Sequence, residues 1–130
     1  MMLAGTHVDL RAELGLLSDI DAARAEAQRE LDALKGMLLD RHLMIPDFED
    51  EDIIAGVHRL VLSASCLLTG VALTDAVGDV KAQNVPGTFQ EYPNWEIPLT
   101  DRNGVPVLLD DLFDHPRMKR LVAAIRGARA

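Results

Sequence analysis

The chain has 130 residues, with 13 Lys plus Arg against 21 Asp plus Glu and a formal net charge of −8. That length suits one small domain, and 48% hydrophobic against 26% charged residues supplies enough apolar matter for a core, which excludes wholesale disorder. The deficit of cations excludes nucleic acid as a main partner, because affinity for a phosphate backbone comes largely from Lys and Arg displacing counterions.

The opening MMLAGTHVDLRAEL meets Asp9, Arg11 and Glu13 before any long apolar region forms. This is not the order of a secretory signal, so a cytoplasmic location is expected. Ser18 followed by Asp21 reads as an acidic capping box, and Ile20, Ala23, Ala27, Leu31, Leu34 and Leu38 recur at three- and four-residue steps. A long amphipathic helix is predicted over about 19–42, its outer face dressed with opposite charges three residues apart. Met44-Ile45-Pro46 stops it. The acidic block 47–52 then precedes Ile53, Ile54, Val57, Leu60, Val61 and Ala64, again at helical spacing. Acids at a helix start are favoured by the macrodipole, and the block lacks the Gly that a calcium loop needs at its sharp turn.

Leu60–Leu73 is the longest apolar stretch, 14 residues with Ser, Thr and Gly inside, too short to span a bilayer. No membrane partner is expected. Its second part, Cys66–Leu73, is predicted to be a buried strand of the parallel-sheet kind, with Cys66 a small buried hydrophobe. A strand needs a neighbour, for which Leu3–Val8 or a second copy is available. Ala76–Val80 reads as one helical turn. From Gln83 to Arg102 Pro86, Gly87, Pro93 and Pro98 exclude a lasting helix or central strand and leave an ordered loop. Asn103-Gly104 marks a turn and Leu108-Leu109 a short apolar contact. Asp114 with Pro116 opens a last helix to about Arg126. Its Arg117, Lys119, Arg120 and Arg126 are read as pairing with the acidic block 47–52 or as cations near a helix C-terminus. The fold expected is mainly α with one or two short strands. It is one domain over residues 1–130, with a helical part at 1–59 and a second part at 60–130.

The four histidines, His7, His42, His58 and His115, have no ligand spacing, so no metal is expected, and His42 and His58 are read as caps or solvent-facing groups. No G-x-G-x-x-G, phosphate loop or nucleophile elbow is present, and no cofactor is indicated. Chemistry concentrates instead in the proline-braced loop. It holds the chain's single Trp (Trp95) and single Tyr (Tyr92), together with Phe89 and the amides Gln83, Asn84, Gln90 and Asn94. Aromatic faces against C–H surfaces and planar amides against paired hydroxyls, on a stiff frame, are what a sugar site requires. From composition alone the plainer reading is that Trp95 and Tyr92 plug a core beneath the loop.

The string Asn84-Val85-Pro86-Gly87-Thr88, followed by Glu91-Tyr92-Pro93-Asn94-Trp95 and Leu99, resembles the C-terminal signature of the 4-alpha-glucanotransferases, the amylomaltase or disproportionating-enzyme family. That motif runs approximately N-x-P-G-T-x-x-E-[HY]-P-N-W-R. Residues 60–78 are similar to that family's last barrel strand and its approach helix, and Leu108–Ile125 resembles its closing helix. Thr6-His7 resembles a Thr-His-Asp motif, although Val8 follows His7 and Asp9 comes one place late. Glu96 stands where the family pattern has Arg, which reverses the local field and forfeits a forked hydrogen-bond donor.

The resemblance implies the closing β/α units of a (β/α)8 barrel, completed by a partner or by dimerisation. It also implies a retaining reaction that uses a carboxylate nucleophile and a carboxylic acid on earlier strands. A barrel takes about 200 or more residues, so those strands have no room in this chain. The acids at hand, such as Asp9 and Glu91, sit on loops without a cleft to separate their pKa values. Catalysis by this chain alone is therefore not expected. The resemblance implies maltooligosaccharide binding through Asn84, Gly87, Thr88, Asn94 and Trp95. The alternative is an interaction module that docks on itself, as a homo-oligomer along the Ile20–Leu38 stripe, or on an enzyme of maltodextrin or trehalose metabolism.

Overall fold

The computed structural model describes residues 5–128. Six helices follow one another: α1 (Thr6–Glu13), α2 (Ile20–Asp40), α3 (Asp50–Leu62), α4 (Leu73–Val77), α5 (Leu109–Leu112) and α6 (Pro116–Gly127). The fold is thus mainly helical, as the periodicity predicts. Among the described residues, those up to Ala33 and Val80–Pro98 form one compact unit, and Leu34–Asp79 with the residues from Leu99 onward form a second.

In the first unit, α1 buries Val8 and holds the loop through a 3.2 Å hydrogen bond from Thr6 Oγ1 to the Val80 carbonyl. It ends where Gly15, at φ +67°, lets the Leu16 N–H reach back to the Arg11 carbonyl at 2.9 Å. The start of α2 corrects the capping reading: Asp19, not Ser18, accepts the Ala22 N–H at 2.9 Å. At the far end of α2, in the second unit, His42 takes φ +56° as the left-handed cap while Leu43 N–H bonds the Leu38 carbonyl at 2.9 Å.

The second unit is built on α3, α4 and α6, with Leu38, Ile53, Ala76, Val77, Leu112 and Leu121 buried. The acidic block has two uses. Asp52 Oδ2 accepts the Glu49 N–H at 3.0 Å and so caps α3. Glu51 receives Arg117 Nη1 and Arg120 Nη1, each at 2.8 Å, and Asp52 Oδ1 receives Arg120 Nη2 at 2.7 Å. The expected pairing of block and basic helix is therefore met, though by residues 51 and 52, while Lys119 bonds Asp114 of its own segment. The Arg117 side chain keeps only 13% of its surface exposed. It lies across Gly78, the αL cap of α4 at φ +80°, where an added Cβ would come within 2.6 Å of Arg117 Nε.

After α4, buried Asp79 accepts both the N–H and the hydroxyl of Thr100 at 3.1 Å. Thr100 also forms an isolated antiparallel bridge with Pro106. Asp101 Oδ1 gathers the Asn103 and Val105 N–H groups around the Asn103-Gly104 turn, and these bonds hold its carboxyl below the usual carboxylate range.

Four expectations are corrected. Cys66–Leu73 is not a strand: apart from that isolated bridge no strand occurs among the described residues, and Cys66, Leu67 and Leu68 face solvent. A strand needs a ladder. Of the proposed partner segment Leu3–Val8, residues 6–8 are in α1 and the first two lie outside the described residues. His58 is buried rather than solvent-facing, with Nδ1 2.8 Å from the Ile54 carbonyl and Nε2 4.0 Å from Asp75 Oδ2. Leu108 and Leu109 are exposed, and Leu112 makes the apolar contact instead. The barrel-like character of residues 60–78 accordingly has no strand to carry it here.

Three substitutions test the second unit. Gly78→Ala is expected to lose about 2–4 kcal/mol in denaturant unfolding, because left-handed strain adds to displacement of an arginine already tied to Glu51; Gly104→Ala, at φ +81° with open space around it, should lose only about 1 kcal/mol. Equal losses at the two sites would refute the Arg117 contact. Glu51→Ala leaves a mostly buried guanidinium without its carboxylate and is expected to cost about 2–3 kcal/mol, measured the same way.

Candidate functional site

The loop from Ala82 to Glu96 belongs wholly to the first unit. Its first corner is Val85-Pro86-Gly87-Thr88: Pro86 presets the entry, Gly87 at φ +89° makes the exit, and Thr88 N–H closes onto the Val85 carbonyl at 3.2 Å. That is the chemistry of a type II turn. Thr88 Oγ1 donates to the same carbonyl at 2.7 Å.

The second corner is Tyr92-Pro93-Asn94-Trp95-Glu96. Asn94 N–H returns to the Tyr92 carbonyl at 2.8 Å across Pro93, and Glu96 N–H to the Pro93 carbonyl at 3.2 Å. The Asn94 side chain joins the two corners. Its Oδ1 accepts the Val85 N–H at 2.7 Å, and its Nδ2 donates to Thr88 Oγ1 at 2.9 Å and to the Thr88 carbonyl at 3.3 Å. The Tyr92 hydroxyl donates to the Ala82 carbonyl at 2.6 Å, and the Trp95 N–H to the Gln83 carbonyl at 2.7 Å. Val85 and Ala82 are buried beneath.

Trp95 is held at φ +65°, a left-handed backbone that a bulky side chain adopts only under constraint, and its side of the residue is open: 75% exposed. Phe89 is 85% exposed. The open groove here is lined by Asn84, Thr88, Phe89, Tyr92, Trp95 and Glu96 among others, none of them a cation. Glu91 Oε2 accepts the Phe89 N–H at 2.8 Å, which holds the Glu91 carboxyl below its ordinary range and keeps it ionised. A carboxylate so placed is no proton donor near neutral pH, and Glu96 lines a groove that holds no cation to offset it.

The five residues singled out from the sequence all fall in this loop and divide in two. Asn84 and Trp95 are at the surface, whereas Thr88 and Asn94 are half-buried with their polar atoms bonded inside the loop, and Gly87 supplies a conformation. Phe89 and Glu96 line the groove as well; composition marks the aromatic, yet nothing local says which way it faces. Away from the loop, Asp9 on α1 is exposed and paired with Arg24 at 2.8 Å, and His7 Nδ1 is enclosed without a hydrogen-bond partner among the described residues. Among the described residues no group of three or more His, Cys, Asp or Glu is placed to hold a metal ion. No helix there is long and apolar enough to cross a membrane.

Comparison with known proteins gives this loop its context. The family model described as 4-alpha-glucanotransferase matches residues 1–103, so it takes in both corners and also the first helices, where the sequence motifs were sparse. Proteins named 4-alpha-glucanotransferase from Mycobacterium bovis and Mycobacterium tuberculosis are 40% identical over 133 aligned positions, covering 97% of this chain. The chain spans only 18% of the length of each. No solved structure matches it. With the family model covering well over half of its residues, the chain belongs to the 4-alpha-glucanotransferase family of glycoside hydrolases, family 77.

Proposed function

We propose that the loop 82–96 is an α-1,4-glucan-binding element and that these 130 residues bind maltooligosaccharides without cleaving them. One observation carries the reading: Trp95 is pinned in a left-handed backbone with its side chain outward, beside exposed Phe89, on a loop whose own polar groups lock it. A backbone fixed in advance leaves less conformational entropy to lose on binding, and the exposed indole face suits the apolar C–H side of a glucose ring. Asn84 and Glu96 stand at the rim to take hydroxyl groups, while Asn94, Thr88 and Gly87 hold the frame.

The relatives' name, a 4-alpha-glucanotransferase, describes transfer of α-1,4-glucan segments, uncharged ligands that suit a groove carrying Glu96 and no cation. In this reading the chain corresponds to the closing β/α units of a (β/α)8 barrel, and the acid pair that breaks glycosidic bonds belongs to other units. Ionised Glu91 cannot serve as the proton donor that retaining chemistry needs, and Asp9 is occupied by Arg24 at 2.8 Å.

Titration with maltoheptaose is expected to shift Trp95 fluorescence saturably at millimolar ligand or below. Trp95→Ala should weaken binding, followed by calorimetry or NMR, about tenfold or more. No response at millimolar ligand, or disproportionation of maltotriose by the purified chain, overturns the proposal. Asn84→Ala should lower affinity a few-fold with the unfolding midpoint unchanged. Asn94→Ala should lower both, since about 1–2 kcal/mol of loop hydrogen bonding goes with it.

A further inference from the structure

We infer that the groove of the loop 82–96 is a site for an organic ammonium group, carried by an amino sugar or by a methylated amine. The inference concerns the charge of the ligand and stands apart from glucan binding, although both use the same groove. The groove offers about 610 Å³, within the range of small-molecule sites. Three aromatic residues line it, Phe89, Tyr92 and Trp95, together with one carboxylate, Glu96, and no Lys, Arg or His. The faces of an aromatic ring are electronegative, so rings and carboxylate attract the same kind of partner, a cation.

The attracting groups are not already satisfied by the protein. Trp95 is 75% and Phe89 85% exposed, and the cation–π contact found among the described residues lies elsewhere, between Lys35 and Phe48. Glu26, Glu51 and Asp52 each hold an arginine, whereas Glu96 has no ion pair among the described residues. A second carboxylate stands close by, because Glu91 Oε2 accepts the Phe89 N–H at 2.8 Å. The net charge of −8 raises the local concentration of any cation further.

The lining also selects among cations. Calcium and magnesium ions need several oxygen ligands, and here a single carboxylate lines the groove. An organic ammonium needs fewer, since the rings cover its C–H groups and meet its charge at once. Trp95 and Glu96 are consecutive, and the Asn94 bonds fix the backbone from which both side chains start. An uncharged sugar meets the same rings but finds in Glu96 only a hydrogen-bond acceptor, so charge is what distinguishes two ligands of one shape.

The test compares maltotriitol with the glycamine of maltotriose, in which an ammonium replaces one hydroxyl, and adds tetramethylammonium chloride as the methylated amine. Binding is followed on the indole N–H resonance of Trp95, the chain's single Trp. At low salt the glycamine is expected to bind at least about fivefold tighter than maltotriitol. Glu96→Gln should bring the two within about twofold, as should about 0.5 M NaCl, while the unfolding midpoint stays in place. A glycamine preference with tetramethylammonium silent identifies an amino sugar as the source; a tetramethylammonium response lost in Glu96→Gln, without that preference, identifies a methylated amine. The inference is overturned if neither ammonium compound shows an advantage, or if the advantage survives Glu96→Gln. Equal binding of glycamine and maltotriitol with tetramethylammonium silent leaves glucan binding standing alone; a response to an ammonium compound with maltotriitol and maltoheptaose silent removes glucan binding and keeps the cation site.

Discussion

The Asn94 carboxamide is the joint on which the candidate site depends. A carboxamide presents one acceptor and two donor hydrogens in a plane, and here these meet an N–H of the first corner together with the hydroxyl and carbonyl of Thr88. Because the next residue is Trp95, whatever fixes Asn94 also fixes the backbone that aims the indole. The two prolines and Gly87 restrict what each corner does alone; the amide determines where one corner lies against the other. A loop with neither helix nor ladder thereby pairs many polar groups of its two corners and leaves Trp95 and Phe89 to solvent.

The second unit relies on the same economy with charges. Glu51 takes one oxygen to each of two arginines, and Asp52 serves both as the helix cap and as the second acceptor for Arg120. Several charges held by shared partners are worth more than the isolated surface pairs on α2, such as Arg29 with Glu26. Gly78 belongs to this assembly because the guanidinium lies where any side chain would be. The acidic block that could suggest a cation site is thus occupied by the protein's own cations.

Against these two locked regions stands the apolar segment after α3, whose polar backbone and leucines have no partner among the described residues. Its sequence asks for a sheet, and a sheet is a property of several segments at once. The loop 82–96 and the apolar segment therefore differ: the first is held by its own hydrogen bonds, while the second is left open to solvent.

What the residues alone determine here is whatever closes within about five positions. The Pro86-Gly87 and Asn103-Gly104 turns, the stop after Met44-Ile45-Pro46 and the Pro116 start of α6 all involve neighbours along the chain, and the family signature is likewise a local string. Even there the competition between Ser18 and Asp19 for the cap of α2 went to the residue whose carboxylate reaches the Ala22 N–H. Only tertiary structure decided that Asn94 and Thr88 turn inward while Trp95 and Phe89 turn out, that His58 is buried beside Asp75, and that Cys66 and Leu67 are left open. Each of these depends on groups far apart in sequence meeting, or failing to meet, and hydrophobicity specifies that a side chain should be covered without specifying by what.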